Sequence, residues 1–239
     1  MEAPKKSLSQ NFLKDKNISN KILNETNIRN NFILEIGPGY GFLTDSILKK
    51  SPKKLFLIEK DYNLKENLHK KYKNNKKISI IGDDILKANL RDFENLIIIS
   101  NLPYNISSKI ILHLFNFREN INEMIFMIQK EMSLKFDYKL PIMNKYKFLT
   151  KIVSSYTRCF DVSPKVFFPQ PKINSSVVKF KFNKQIVDLN KANYFSKLIF
   201  KNVRKKINNN IKMKFKNKLF EKRVSQLKID ELLTIYNFF

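Results

Sequence analysis

The chain is predicted to fold as an α/β protein, with a largely parallel sheet flanked by helices and a smaller, basic helical region after it. Three observations predict this. Strand-like and helix-like runs alternate at short spacing between residues 32 and 131, the strand-like runs are mostly apolar, and the composition turns strongly basic in the last quarter of the chain. At 239 residues with 43% hydrophobic side chains, there is enough chain for one sizeable core and a small appendage.

The opening segment is polar and basic, with "SQNFL" embedded in it. "FILEI" (32–36) is an apolar strand running into glycine and proline, and "GFLTDSILKK" (41–50) reads as the helix after that turn. "KLFLIEKD" (54–61) supplies a second strand, "YNLKENLHKKYK" (62–73) a second helix and "KISIIGDD" (77–84) a third strand. "NLIIIS" (95–100) then reads as a buried strand, Ser107 to Phe115 as a helix, and "EMIFMIQKE" (123–131) as another strand. Beyond Cys159, three prolines punctuate a loop, and an alternating strand follows with Val178, Phe180 and Phe182 on one face. A helical tail closes the chain: from Lys191 to Phe239 there are thirteen Lys/Arg against three Asp/Glu, and Leu198, Ile199, Val203 and Ile207 fall at helical spacing. These patterns place a boundary between domains 1–185 and 186–239.

Composition excludes several function classes. A single cysteine rules out an internal disulfide framework, and with two histidines a structural metal is not expected. The first thirty residues hold no apolar stretch of signal-peptide length, and no window reaches about 18 apolar residues, so a soluble, cytoplasmic protein with no membrane partner is expected. The formal net charge of +25 attracts polyanions and makes nucleic acid the leading partner class. A lysine-rich composition with no binding role is the competing account, so charge needs support from chemistry.

That support begins at "LEIGPGYGFLT" (34–44), where a buried strand runs into Gly37, Gly39 and Gly41 and then a helix. Glycines let backbone turn tightly beside a ligand that a β-carbon would exclude. Glu59, twenty-two positions after Gly37 at the end of the next strand, can accept hydrogen bonds from ribose hydroxyls. A nicotinamide dehydrogenase would use the same acid, but Gly41 follows Gly39 too closely for the dinucleotide fingerprint and no acid or base for hydride transfer lies nearby. Asp84 closes the third strand and can accept from an adenine amine, with Ile85 against the ring; a solvated acid or helix cap is the plainer reading. Asn101-Leu102-Pro103-Tyr104 ends the fourth strand. There the Asn101 amide oxygen and the Leu102 carbonyl can accept from an exocyclic amine, and Tyr104 offers a face for a base.

Seven ordered segments make the chain resemble the small-subunit (16S-type) ribosomal RNA adenine N6,N6-dimethyltransferases: "SLSQNFL" (7–13), "EIGPGYGFLT" (35–44), "IEKD" (58–61), "NLPYNISS" (101–108), "FMIQKE" (126–131), "VFFPQPKINSSVVKF" (166–180) and "NVRKKINNNI" (202–211). The resemblance spans nearly the whole chain. It implies a Rossmann-like S-adenosylmethionine-dependent methyltransferase core with a small C-terminal helical domain, S-adenosyl-L-homocysteine as product, and a small-subunit ribosomal RNA substrate within a pre-30S-type particle. A monomer is expected.

The resemblance also implies roles. Gln10, Asn11 and Leu13 would close over the cofactor, Gly37, Gly39 and Gly41 would run beside its methionine part, Glu59 and Lys60 would hold the ribose end, and Asp84 and Ile85 the adenine. Asn101, Leu102, Pro103 and Tyr104 would form the catalytic segment. Phe167 would stack on the target adenine opposite Tyr104, with Phe168 as the competitor one register away. Lys201, Arg204, Lys205 and Lys206 would meet RNA phosphates. Ser9 stands where the maturation branch has glycine, which brings "SQNF" closer to relatives that methylate large-subunit RNA and confer antibiotic resistance. DNA adenine methylation and a noncatalytic assembly factor are the other readings.

Overall fold

The structure, a computed structural model, describes residues 11–183, 185–211 and 217–239. The chain divides into two compact units. The larger takes Met1–Ser133 with Thr157–Phe182, the smaller Leu134–Tyr156 with Asn183–Phe239.

The larger unit is built on parallel strands β2 (Phe32–Ile36), β3 (Lys54–Ile58), β4 (Ile78–Ile81), β5 (Leu96–Asn101) and β6 (Ile121–Gln129). β2 pairs in parallel with β3 and β5, β3 with β4, and β5 with β6, while β9 (Ser175–Phe182) runs antiparallel to β6. With β7 (Ser154–Val162), the sheet order is β4-β3-β2-β5-β6-β9-β7. Ile33, Leu34, Leu55, Leu57, Ile98 and Ile99 are fully buried, as strands covered on both faces require. The covering helices are α1 (Lys16–Leu23), α2 (Phe42–Lys49), α3 (Tyr62–Tyr72) and α4 (Ser107–Leu114), and a short α5 (Lys130–Phe136) follows β6. Asp15 and Asp61 start α1 and α3 by accepting from backbone N–H groups in the first turn.

A two-stranded ladder lies apart from the main sheet. β1 (Phe12–Leu13) pairs antiparallel with β8 (Phe167–Phe168), matching Phe12 to Phe168 and Leu13 to Phe167. Sequence periodicity is too short to reveal strands of two residues, and α1 and β7 also went unpredicted.

The smaller unit holds α6 (Lys145–Val153), α7 (Leu189–Ile199), α8 (Ile207–Ile211) and α9 (Ile229–Phe238). The division at residue 185 is corrected here in that residues 134–156 join this unit. The reason is aromatic packing: the Phe148 ring on α6 lies 5.1 Å from Phe195 on α7 and 5.4 Å from Tyr236 on α9. The helical reading across Val203 is also corrected. α7 ends at Ile199 and buries Ala192, Phe195, Ser196 and Ile199, whereas Val203 is exposed. Asn202 ends the periodicity, since its side chain accepts from the Arg204 N–H and its carbonyl from the Lys205 N–H, a local turn that competes with helix.

Candidate active site

The chain leaves β2 towards β3 and β4, then returns to β5 on the other side of β2. Strand order therefore reverses between β2 and β5, and the crevice beyond their carboxyl ends is where α/β sheets seat ligands. A cavity of about 280 Å³ opens there, lined by Asn11, Phe12, Gly37, Gly39, Glu59, Lys60, Asp84, Ile85 and the Asn101–Tyr104 segment.

Glu59 sits at the end of β3, buried, with both oxygens engaged: Oε2 accepts from Gly39 N–H at 3.1 Å and Oε1 from Asp61 N–H at 2.9 Å. Burial pushes its carboxyl up while these N–H groups pull it down. The acid thereby ties the glycine turn to β3. Asp84 accepts from Lys60 Nζ at 2.9 Å and from Leu86 N–H at 3.0 Å, and the Lys60 bond holds its carboxyl below the ordinary range. Lys60 thus acts on Asp84, and Ile85 is buried beside it. Gly37 has φ of +62°, and a β-carbon there would meet nothing within 4 Å, so the turn presents bare backbone to open space.

Asn101 is the pivot. Its Nδ2 donates to the Asn11 carbonyl at 2.7 Å, which orients the amide, and its Oδ1 is buried and accepts no hydrogen bond among the described residues. An unsatisfied buried acceptor of this kind costs stability, and this one lies in the cavity wall, open to a donor from a ligand. Leu102 N–H donates to the Met127 carbonyl at 3.1 Å, fixing the start of the proline turn. The Tyr104 ring lines the cavity, its hydroxyl 2.6 Å from Ser175 Oγ, and burial raises its ionisation.

A second cavity, of about 380 Å³, shares Phe12, Gly37 and Asn101 with the first. Leu13, Glu35, Tyr40, Phe42 and Phe168 are among the other residues of its mostly apolar wall. Of the two adjacent rings, Phe167 is 1% exposed and packs in the core, while Phe168 is 52% exposed and lines this cavity. Adjacent residues on a strand point to opposite sides, so only one of the two rings can face outwards. Leu13 and Gly41 are not among the residues that line the first cavity. Leu13 lies in the second, and Gly41 caps α2. Gln10 lies outside the described residues. Lys201, Arg204, Lys205 and Lys206 are exposed in the smaller unit, and only Lys206 among them makes an ion pair among the described residues, to Glu221 at 2.8 Å.

The sequence reading missed Phe12, Tyr40, Phe42 and Glu35 as wall residues. Their signal was present, because three of them flank the glycines it singled out. Among the described residues no group of three or more His, Cys, Asp or Glu could hold a metal, and no helix is long and apolar enough to cross a membrane.

A parallel sheet whose glycine turn, buried strand-end acid and strand-end asparagine converge on one crevice defines an S-adenosylmethionine-dependent methyltransferase. The model of the family described as "Ribosomal RNA adenine dimethylase" matches residues 1–238. The chain belongs to that family and is an S-adenosylmethionine-dependent ribosomal RNA adenine methyltransferase. It is 38% identical over 240 residues to "Ribosomal RNA small subunit methyltransferase A" of Mesomycoplasma hyopneumoniae (strain 232), covering 99% of this chain and 87% of the relative. The same-named protein of Hydrogenobaculum sp. (strain Y04AAS1) is 34% identical over 244 residues, covering 99% and 94%. Among solved structures, a dimethyladenosine transferase from Plasmodium falciparum superposes with a TM-score of 0.79 at 21% identity, covering 95% of this chain and 97% of that one. The 23S rRNA methyltransferase ErmE gives 0.78 at 20% identity, covering 95% and 98%. These two structures share the fold.

The residues present fit the cofactor. Bare backbone at Gly37, the Asp84 carboxylate at the far end and the open Asn101 acceptor suit an amino-acid arm, an adenine amine and a reacting centre in turn. When bound, S-adenosylmethionine supplies a methyl group on a positively charged sulfur.

Proposed function

We propose that the chain dimethylates N6 of two adjacent adenines in the 3′-terminal hairpin of small-subunit ribosomal RNA, in the cytoplasm, on a partly assembled pre-30S-type particle. The observation that carries this reading is the buried Asn101 Oδ1, without a hydrogen-bond partner among the described residues, at the seam between a cofactor-type cavity and an apolar cavity with an aromatic lip. An adenine extruded from its helix has a planar apolar body and one amine, which matches the second cavity and its acceptor. The names of the two relatives described above support the small subunit as substrate.

Asn101 Oδ1 accepts an N6–H, which draws the nitrogen lone pair out of ring conjugation towards the methyl donor. Asn11 holds the amide so that oxygen, and not nitrogen, faces the amine. No side chain needs to remove a proton before transfer, because the amine becomes acidic once methylated and releases its proton afterwards. Positioning and a preorganised acceptor supply the rate. The mostly apolar second cavity tolerates a monomethylated amine, so a second transfer can follow at the same nitrogen.

The test is mass spectrometry of small-subunit RNA from cells with and without the gene, followed by treatment of the undermethylated particle with purified protein. Two neighbouring dimethyladenosines that vanish with the gene and return on treatment are expected. Methyl groups appearing in large-subunit RNA instead would replace this reading with the resistance-type one, and cofactor binding without transfer would favour an assembly factor.

A further inference from the structure

The glycine turn is gripped from two sides. On the cavity side Gly39 N–H is held by Glu59. On the other side α3 delivers two consecutive residues. Tyr72 places its hydroxyl 3.0 Å from the Gly41 carbonyl and 2.7 Å from Asp45 Oδ1. Lys71 Nζ lies 2.7 Å from Asp45 Oδ2 and 3.1 Å from the Tyr40 carbonyl. Asp45, in the first turn of α2, therefore takes one partner on each oxygen.

Sterics and charge agree on what this arrangement does. Gly41 has φ of +78°, and a β-carbon there would collide with the Tyr72 oxygen, so the phenol occupies the room that a side chain would need. The Tyr72 ring belongs to the buried core, which fixes the hydroxyl's position. Burial and the neighbouring Asp45 both push its ionisation up, so it remains a donor throughout the physiological range. Its single proton is shared between the Gly41 carbonyl and Asp45, and a hydroxyl held by the core against the last peptide of the turn limits how Gly37 and Gly39 can swing.

We propose that Tyr72, with Asp45 and Lys71, is a positioning residue for the cofactor: it sets the path of the glycine turn along the cofactor's amino-acid arm without touching the cofactor. This rests on the reading that the arm lies along that turn. Tyr72→Phe keeps the ring and removes only the hydroxyl. Titration calorimetry would compare S-adenosylhomocysteine with 5′-methylthioadenosine, which has the nucleoside and sulfur but no amino-acid arm. We expect S-adenosylhomocysteine to bind about fivefold more weakly, the worth of one net hydrogen bond, with 5′-methylthioadenosine unchanged. Asp45→Ala should reproduce this pattern, and the double variant should be no worse than either single one.

Equal losses for both ligands in the folded variants, or no loss for either, would overturn the proposal. A wild-type protein that binds 5′-methylthioadenosine as tightly as S-adenosylhomocysteine would instead overturn the placement of the arm.

Discussion

Asn101, Glu35 and the phenylalanine pair show how much a single atom decides at this site. Asn101→Ala removes the acceptor and the bond to Asn11, and turnover should fall by about a hundredfold or more while S-adenosylhomocysteine affinity stays within a few fold; single-turnover kinetics and titration calorimetry measure the two separately. Phe168→Ala should weaken RNA binding and leave the melting temperature near wild type, whereas Phe167→Ala should cost about 3–5 kcal/mol of stability, because only the second ring is in the core. Glu35 carries the pH prediction. It is fully buried, with Oε2 accepting from Thr44 Oγ1 at 2.6 Å, and burial raises its carboxyl from 4.5 to about 8. Between those values the folded protein binds a proton that the unfolded chain releases. Stability from this group is therefore complete below about 4.5 and is lost as pH rises through about 8, at a slope on the order of 1 kcal/mol per pH unit. Glu35→Gln cannot ionise, so its stability relative to wild type should grow across that window in denaturant titrations.

At the scale of elements, the turn after α7 carries a prediction that depends on its not being helical. Lys201, Arg204 and Lys205 are exposed and make no ion pair among the described residues, whereas Lys206 is held by Glu221. Replacing Arg204, Lys205 and Lys206 with Ala should weaken binding to the pre-small subunit and flatten its salt dependence, with cofactor affinity unchanged. Lys206→Ala alone should contribute least. Paired titrations at low and moderate salt would show this, and an unchanged slope in the triple variant would remove the turn from the RNA footprint. The β2 to β6 run was legible because its strands are uninterrupted apolar blocks separated by turn residues. Other elements were hidden for physical reasons. α1 relies on the Asp15 cap and only three buried positions, and α6 is defined by where Phe148 packs, which no local pattern encodes. Which of Phe167 and Phe168 faces the cavity depends on pairing with Phe12 and Leu13, more than 150 positions away.

For the molecule as a whole, the glycine turn, Glu59, Asp84 and Asn101 could be read from sequence because the ends of parallel strands must converge. The second cavity could not, since its wall draws on four separate segments. The net charge of +25 acts at this scale. Affinity for small-subunit RNA should fall by roughly a thousandfold between about 50 and 200 mM salt, as six neutralised phosphates would give, while affinity for S-adenosylhomocysteine should barely change. Filter binding across a salt series, run beside calorimetry, would separate the two.

The ladder between β1 and β8 also imposes an order in time. Phe12 leaves the ribosome early and its partner Phe168 late, so at roughly 5–20 residues per second the nascent chain carries half an aromatic lip for about ten seconds or more. During that interval the glycine turn and its acid can already be folded while nothing closes the mouth beside Asn101. The cavity that Phe168 helps to line is therefore completed only after most of the chain has been made.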